Sequence, residues 1–239
     1  MVRLLLPLLA WVASSALAAP SINAPPTAKV GTVLEFEATG TGNGHDFITV
    51  VEKGAPEGSY KTYSYIRPGK IKLQLPGTPG DYELRVCGAA SPYPTLARQA
   101  LKIEGSAASV QAPTTLKAGA QFEVTWSGPN NPRDYITIGN AQSKYLDYKY
   151  TREGSPAKIT APEKPGEYEV RYILGEGDIV IASQKVTVGA TSASVTVPAQ
   201  VAAGANIQVS WTGPGNPRDY LTLVKAGAAE GTYGRYAYV

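Results

Sequence analysis

The side chains that can do chemistry are few. This chain of 239 residues has one histidine, His45, and one cysteine, Cys87. Acyl transfer needs a nucleophile with a positioned base, usually His, and an oxyanion hole. His45 stands beside Asp46 in a stretch where two later copies of the same segment carry Arg133 and Arg218. No GxSxG elbow, HExxH, phosphate-cradling Gly-Lys-Ser/Thr loop or Cys/His metal set occurs. Carboxylate pairs of the glycosidase kind need only meet in space, about 5 to 10 Å apart, and the residue order singles out no such pair. The expectation is a chain that is not an enzyme and uses no cofactor.

Three acidic residues recur in register, Asp46, Asp134 and Asp219. In loops that also carry Asn130, Asn131 and Asn216, they are weak candidates for Ca²⁺, an ion that takes about 6 to 8 oxygen ligands. The other reading is structural: an Asp at a strand entrance caps loop N–H groups or pairs with the preceding Arg. Dense acidic loops of the DxDxDG type are missing, which favours the cap and predicts no metal site.

Tyrosines are the remaining candidates. Tyr60, Tyr63 and Tyr65, then Tyr145, Tyr148 and Tyr150, then Tyr233, Tyr236 and Tyr238 recur in the same pattern. The pattern is expected to place aromatics on both faces of one strand and so to expose at least one per copy. Exposed aromatics on sheets stack on sugar rings or anchor protein partners. Tyr also favours strands for packing reasons alone, so core and rim roles compete with binding. Tyr60, Tyr63, Tyr145, Tyr148, Tyr233 and Tyr236 are the binding candidates.

The elements that must position these residues are repeats. QFEVTWSGPNNPRDYITI surrounds Trp126, NIQVSWTGPGNPRDYLTL surrounds Trp211, and VLEFEATGTGNGHDFITV is a looser first version. A unit of about 85 to 90 residues has the size of a small domain, not of a solenoid repeat. The boundaries read as 19–105, 106–190 and 191–239, with the third copy expected to be partial because the counterpart of Ala157 to Val188 is missing. Period-two alternation runs through each copy, as in Phe122, Val124 and Trp126 against Glu123 and Thr125. It is broken by turn chemistry at Gly128-Pro129-Asn130-Asn131-Pro132 and Lys164-Pro165-Gly166. About seven short antiparallel strands per copy, each with one buried and one wet face, predict an all-β chain of tandem immunoglobulin-like sandwiches.

Pro79-Gly80-Asp81-Tyr82 and Pro165-Gly166-Glu167-Tyr168 place a tyrosine just after a tight turn, as in a tyrosine corner. Tyr82, Tyr168, Trp126 and Trp211 are the expected core residues. Ala38 replaces the Trp in the first copy. A large aromatic in place of Ala is worth about 3 to 5 kcal/mol in a core, so the first copy is expected to be the less stable. Cys87 aligns with Ile173 and reads as a small apolar filler.

Tandem units reading W-[ST]-G-P, R-D-Y-[IL]-T, Y-x-x-Y-x-Y and P-G-E-Y-E-V-R-Y resemble the immunoglobulin-like repeats of exported bacterial proteins, some of which also carry a von Willebrand A domain. The best matching stretches are Trp126 to Thr137 and Pro165 to Tyr172. The resemblance implies adhesion, spacing or recognition modules. The Asp-x-Ser-x-Ser metal motif of von Willebrand A domains is absent from the sequence.

Arg3, the apolar stretch Leu4 to Val12 and Ala16-Leu17-Ala18 form an export signal over 1–18. The apolar run is too short to cross a bilayer, which takes about 20 residues, so no membrane span is expected after signal removal. Net charge is +3 with charged residues at 17%. No basic run occurs, which argues against nucleic acid as a partner. The expected protein is a spacer or binding and adhesion module in the periplasm or extracellular space, with a protein or glycan partner at the cell surface. The alternative is a carbohydrate-binding accessory region of a larger secreted enzyme.

Overall fold

In the computed structural model, which describes residues 19–239, strands follow the alternation of the sequence. The export signal read over 1–18 lies outside the described residues. The chain divides into two compact units, one ending at Glu104 and one running Gly105–Val239.

The first unit contains β1 (Ser21–Asn23), β2 (Thr27–Lys29), β3 (Val33–Thr39), β4 (Phe47–Glu52), β5 (Tyr63–Tyr65), β6 (Ile71–Gln74), β7 (Gly80–Cys87) and β8 (Thr95–Glu104). They form a three-stranded sheet, β1-β3-β6, and a five-stranded sheet, β2-β8-β7-β4-β5. Strand β3 shows why: Leu34, Phe36 and Ala38 are buried while Glu35 and Glu37 face water. Ile48, Leu73, Leu84, Val86, Leu101 and Ile103 are buried with them.

The second unit repeats this plan with β9 (Ser109–Gln111), β10 (Thr115–Lys117), β11 (Gln121–Ser127), β12 (Tyr135–Gly139), β13 (Asp147–Tyr150), β14 (Ala157–Thr160), β15 (Gly166–Leu174) and β16 (Ile179–Gly189). Its sheets are β9-β11-β14 and β10-β16-β15-β12-β13, the same order strand for strand. The core gathers Phe122, Val124, Ile136, Ile138, Ile159, Tyr168, Val170 and Tyr172. This is an all-β, immunoglobulin-like architecture.

Three expectations are corrected. Each full copy has eight strands, and one pairing is parallel: β2 runs beside β8 and β10 beside β16. The cause is Pro25-Pro26 and Pro113, which cannot donate to a ladder and force the chain to leave one sheet for the other. Gln99 bridges the break, donating from Nε2 to the Ala24 carbonyl at 2.6 Å and accepting from the Ala24 N–H at 3.3 Å. Gln184 does the same for Ala112, at 2.7 and 2.9 Å.

The second correction concerns the wet face. Strands β4 and β12 each have a neighbour on both sides in their sheets, and Thr49 and Thr137 on their outer faces are fully buried. Their hydroxyls donate to the Thr62 and Asp147 carbonyls at 2.8 and 2.7 Å.

The third concerns the tryptophans. Trp126 is only part-buried and packs at the core's edge, its ring 5.6 Å from Tyr172 and its Nε1 donating to the Gly154 carbonyl at 3.2 Å. Trp211 is 39% exposed and is not a core residue. It lies on β18 (Ser210–Thr212), which pairs with β17 (Ser194–Thr196); β19 (Tyr220–Leu223) pairs with β20 (Arg235–Tyr238). Among the described residues no strand corresponding to β14, β15 or β16 covers these two pairs. Tyr82 and Tyr168 are buried, and their hydroxyls donate four residues back to the Thr78 and Lys164 carbonyls at 3.0 and 2.9 Å. Both are tyrosine corners.

Candidate functional site

The tyrosines of β5, β13 and β20 stand on one face, not two. Tyr63 and Tyr65, Tyr148 and Tyr150, and Tyr236 and Tyr238 are two residues apart, so strand pleating sends each pair to the same side. Tyr60, Tyr145 and Tyr233 precede the strands and turn back toward that side, their rings 5.7, 6.1 and 6.3 Å from Tyr63, Tyr148 and Tyr236. The neighbouring strand adds Phe47, Tyr135 and Tyr220 at 5.5, 5.9 and 5.7 Å from the same three rings. The six candidates are 45% to 66% exposed.

Every one of these contacts is edge-to-face, the arrangement that the ring quadrupole favours by about 0.5 to 1.5 kcal/mol per pair beyond burial. The rings therefore brace each other and lose little freedom on binding. In the first copy the adjacent Tyr65 pushes the Tyr63 hydroxyl above its ordinary pKa, so that hydroxyl is neutral at physiological pH. The His45 ring lies 6.3 Å from Tyr65 and extends this face.

The loops that carry the tyrosines are held by Arg85 and Arg171. Arg85 is 1% exposed. Its guanidinium donates to the Pro56 and Ala55 carbonyls at 3.0 and 2.8 Å and to Glu83 at 2.8 Å. Arg171 takes the same role in the second copy, bonding Glu169 at 2.9 Å and the Lys144 carbonyl at 3.3 Å. The repeated Glu-x-Arg of Glu83 and Arg85, Glu169 and Arg171 was the available signal. Glu57 adds a further tie, accepting from the Thr95 N–H and from Arg98, both at 2.6 Å.

The recurring aspartates are keystones of the loops beside this face. Asp134 is buried and accepts from the Asn131 N–H at 2.9 Å, the Tyr172 hydroxyl at 3.0 Å and the Gly175 N–H at 3.1 Å. The Tyr172 hydroxyl in turn accepts from the Asn130 N–H at 2.8 Å. Asp46 accepts from the N–H and hydroxyl of Thr41, both at 2.7 Å, and Asp219 from the Asn216 N–H at 2.9 Å. The Asp134 oxygens are occupied by donors, the arrangement of a loop cap. No cluster of three metal-binding side chains exists among the described residues. Gly175 is required here: a Cβ would fall 2.1 Å from the Arg133 carbonyl oxygen, against rigid backbone.

Cys87 is 1% exposed, and burial pushes its thiol pKa up, so it behaves as an unreactive filler opposite Phe47.

A cleft of about 240 Å³ opens on the tyrosine face of the second copy, lined by Arg133, Tyr135, Tyr145, Tyr148, Tyr150 and Asp178. A broader depression of about 1080 Å³ runs past Gly119, Asn140, Asp147 and Asn216. It includes none of the exposed tyrosines, so the smaller cleft has the better chemistry for a ligand.

No family model matches the chain, and no curated protein does. Among solved structures it is similar to the BSP domain of a biofilm-associated protein, with 13% identity over 71% of this chain and 29% of that one and a TM-score of 0.27. It spans less than a third of that structure. Others are the D00-D0 domain of intimin, 12% identical over 72% of this chain and 100% of that one with a TM-score of 0.26, and the Bacteroides ovatus mixed-linkage glucan utilization locus protein SGBP-B in complex with a mixed-linkage heptasaccharide, 13% identical over 76% and 48% with a TM-score of 0.26. Overlaps of this size carry no weight for function, which rests on the side chains described above. No helix among the described residues is long and apolar enough to cross a membrane.

Proposed function

We propose that this chain is a non-catalytic exported module, working in the periplasm or outside the cell, whose copies at 19–105, 106–190 and 191–239 present a repeated tyrosine face to a protein or glycan of the cell envelope. Spacing and adhesion are two uses of one design: rigid sandwiches hold the faces, and the faces make contact. The carrying observation is that three copies build the same braced group of exposed rings from the same strand pair, β4 with β5, β12 with β13 and β19 with β20. The outermost rings of each group stay exposed although the residues beneath them are packed. Retention of the chain on immobilised cell-envelope extract is expected to fall several-fold in a Tyr63→Ala, Tyr148→Ala double variant. Equal retention of both proteins ends this reading.

The cleft of the second copy favours a second reading, a carbohydrate-binding accessory region of a larger secreted enzyme. Selective retention by glycans supports it, while retention by a protein fraction alone supports the adhesion reading.

A further inference from the structure

We infer that the second copy holds a subsite for one pyranose ring of an uncharged glycan, formed by Tyr135, Tyr145, Tyr148, Tyr150, Arg133 and Asp178. The inference rests on the tyrosine-face reading and goes beyond it by assigning a ligand class and a single copy.

The cleft combines two kinds of surface. Tyrosine rings 5.9 to 6.5 Å apart supply flat apolar area. Asp178 and Arg133 supply hydrogen-bond acceptors and donors at its margin. A pyranose ring has the matching halves, a face of C–H groups and an edge of hydroxyls. Small-ligand sites characteristically join apolar walls to a few placed polar groups. At about 240 Å³, the space is below the roughly 300 to 1,000 Å³ of drug-sized pockets, which suits one ring of a longer chain.

Charge narrows the ligand further. Asp178 receives the Tyr135 hydroxyl at 3.1 Å and Lys144 at 3.5 Å, and Arg133 faces Glu176 at 3.8 Å. The two acids and two bases cancel, so the margin attracts neither an anion nor a cation, and polar recognition falls to hydroxyl groups. The Tyr135 hydroxyl is itself held in its protonated form by burial and by Asp178.

The first copy fills the corresponding place with aromatic rings. Phe47 takes the place of Tyr135, and Tyr93, from the hairpin between β7 and β8, lays its ring 5.6 Å from both Phe47 and Tyr60. An aromatic plug thus stands there, where the second copy's hairpin between β15 and β16 presents Asp178. Both residues have left-handed backbone, φ 59° for Tyr93 and 52° for Asp178, so the two hairpins aim different side chains at the same face.

The test is titration of the chain with neutral hexaoses of β-1,4-glucose, β-1,3-glucose, α-1,4-glucose and β-1,4-mannose, and with an acidic hexagalacturonate, followed by tyrosine fluorescence and calorimetry. At least one neutral hexaose is expected to bind at millimolar concentration or below, more tightly than the hexagalacturonate. Tyr148→Ala and Asp178→Ala should each weaken that binding tenfold or more, whereas Lys158→Ala, on the exposed side of β14 in the other sheet, should leave it unchanged. Tyr135→Phe keeps the ring and removes only the hydroxyl; a weaker but measurable loss with an unchanged circular dichroism spectrum separates the site from misfolding. Failure of every neutral hexaose, tighter binding of the acidic one, or indifference to Asp178→Ala overturns the subsite. Envelope retention that is still lost in the Tyr63→Ala, Tyr148→Ala variant would then leave the broader tyrosine-face reading standing.

Discussion

Asp134 shows how one residue shapes the face without touching a ligand. Its carboxylate collects two backbone donors and the Tyr172 hydroxyl, fixing the loop that ends in Arg133. The recurrence of Asp46, Asp134 and Asp219 was visible in the sequence. Their donors were not, because Tyr172 and Gly175 lie on a distant strand and its hairpin. Replacing Tyr172 by Phe removes a partner from buried Asp134 and from the Asn130 N–H, and should cost about 1 to 3 kcal/mol in the unfolding transition of the second copy at pH 7. Burial, with the Asp134 charge beside it, pushes the Tyr172 hydroxyl well above the ordinary tyrosine pKa near 10. Its folded pKa is raised, so the stability it lends is complete below about pH 10 and is lost as pH climbs toward the folded value. The gap between parent and variant should therefore narrow from pH 10 upward in denaturant titrations. A Phe variant as stable as the parent at pH 7 contradicts this role.

At the scale of elements, alternation and turn chemistry revealed the strands, and Pro-Gly-acid-Tyr revealed the tyrosine corners. The short parallel strands β2 and β10 stayed hidden because three residues carry too little periodicity, and their pairing depends on Gln99 and Gln184 far along the chain. The arginine clamps were hidden too, since an Arg alternating with inward residues reads as solvent-facing. Arg85 is buried and makes two bonds to the loop before Tyr60 while Glu83 anchors its guanidinium, whereas Arg171 has one bond to Glu169 and one longer bond to its loop. Arg85→Ala should lower the first copy's stability by about 1 to 3 kcal/mol and speed amide exchange in residues 53–60. Arg171→Ala should cost less in the second copy. Equal and negligible effects from both would remove the clamp.

For the whole molecule, three similar segments with alternating residues made the all-β fold legible. What the order of residues could not announce was convergence across strands: Tyr135 and Asp178 meet although 43 positions apart, and the tyrosines share one face because β4, β12 and β19 supply the rings between them. The central claim is that these faces are where the protein meets its partner. Tyrosine nitration mapped by mass spectrometry, on the free chain and on chain bound to envelope extract, tests it most directly. The free chain should be modified at Tyr63, Tyr148 and Tyr236 and spared at buried Tyr82, Tyr168 and Tyr172, and binding should protect the exposed rings. Exposed rings nitrated to the same extent in both states, or buried ones nitrated first, would contradict the claim.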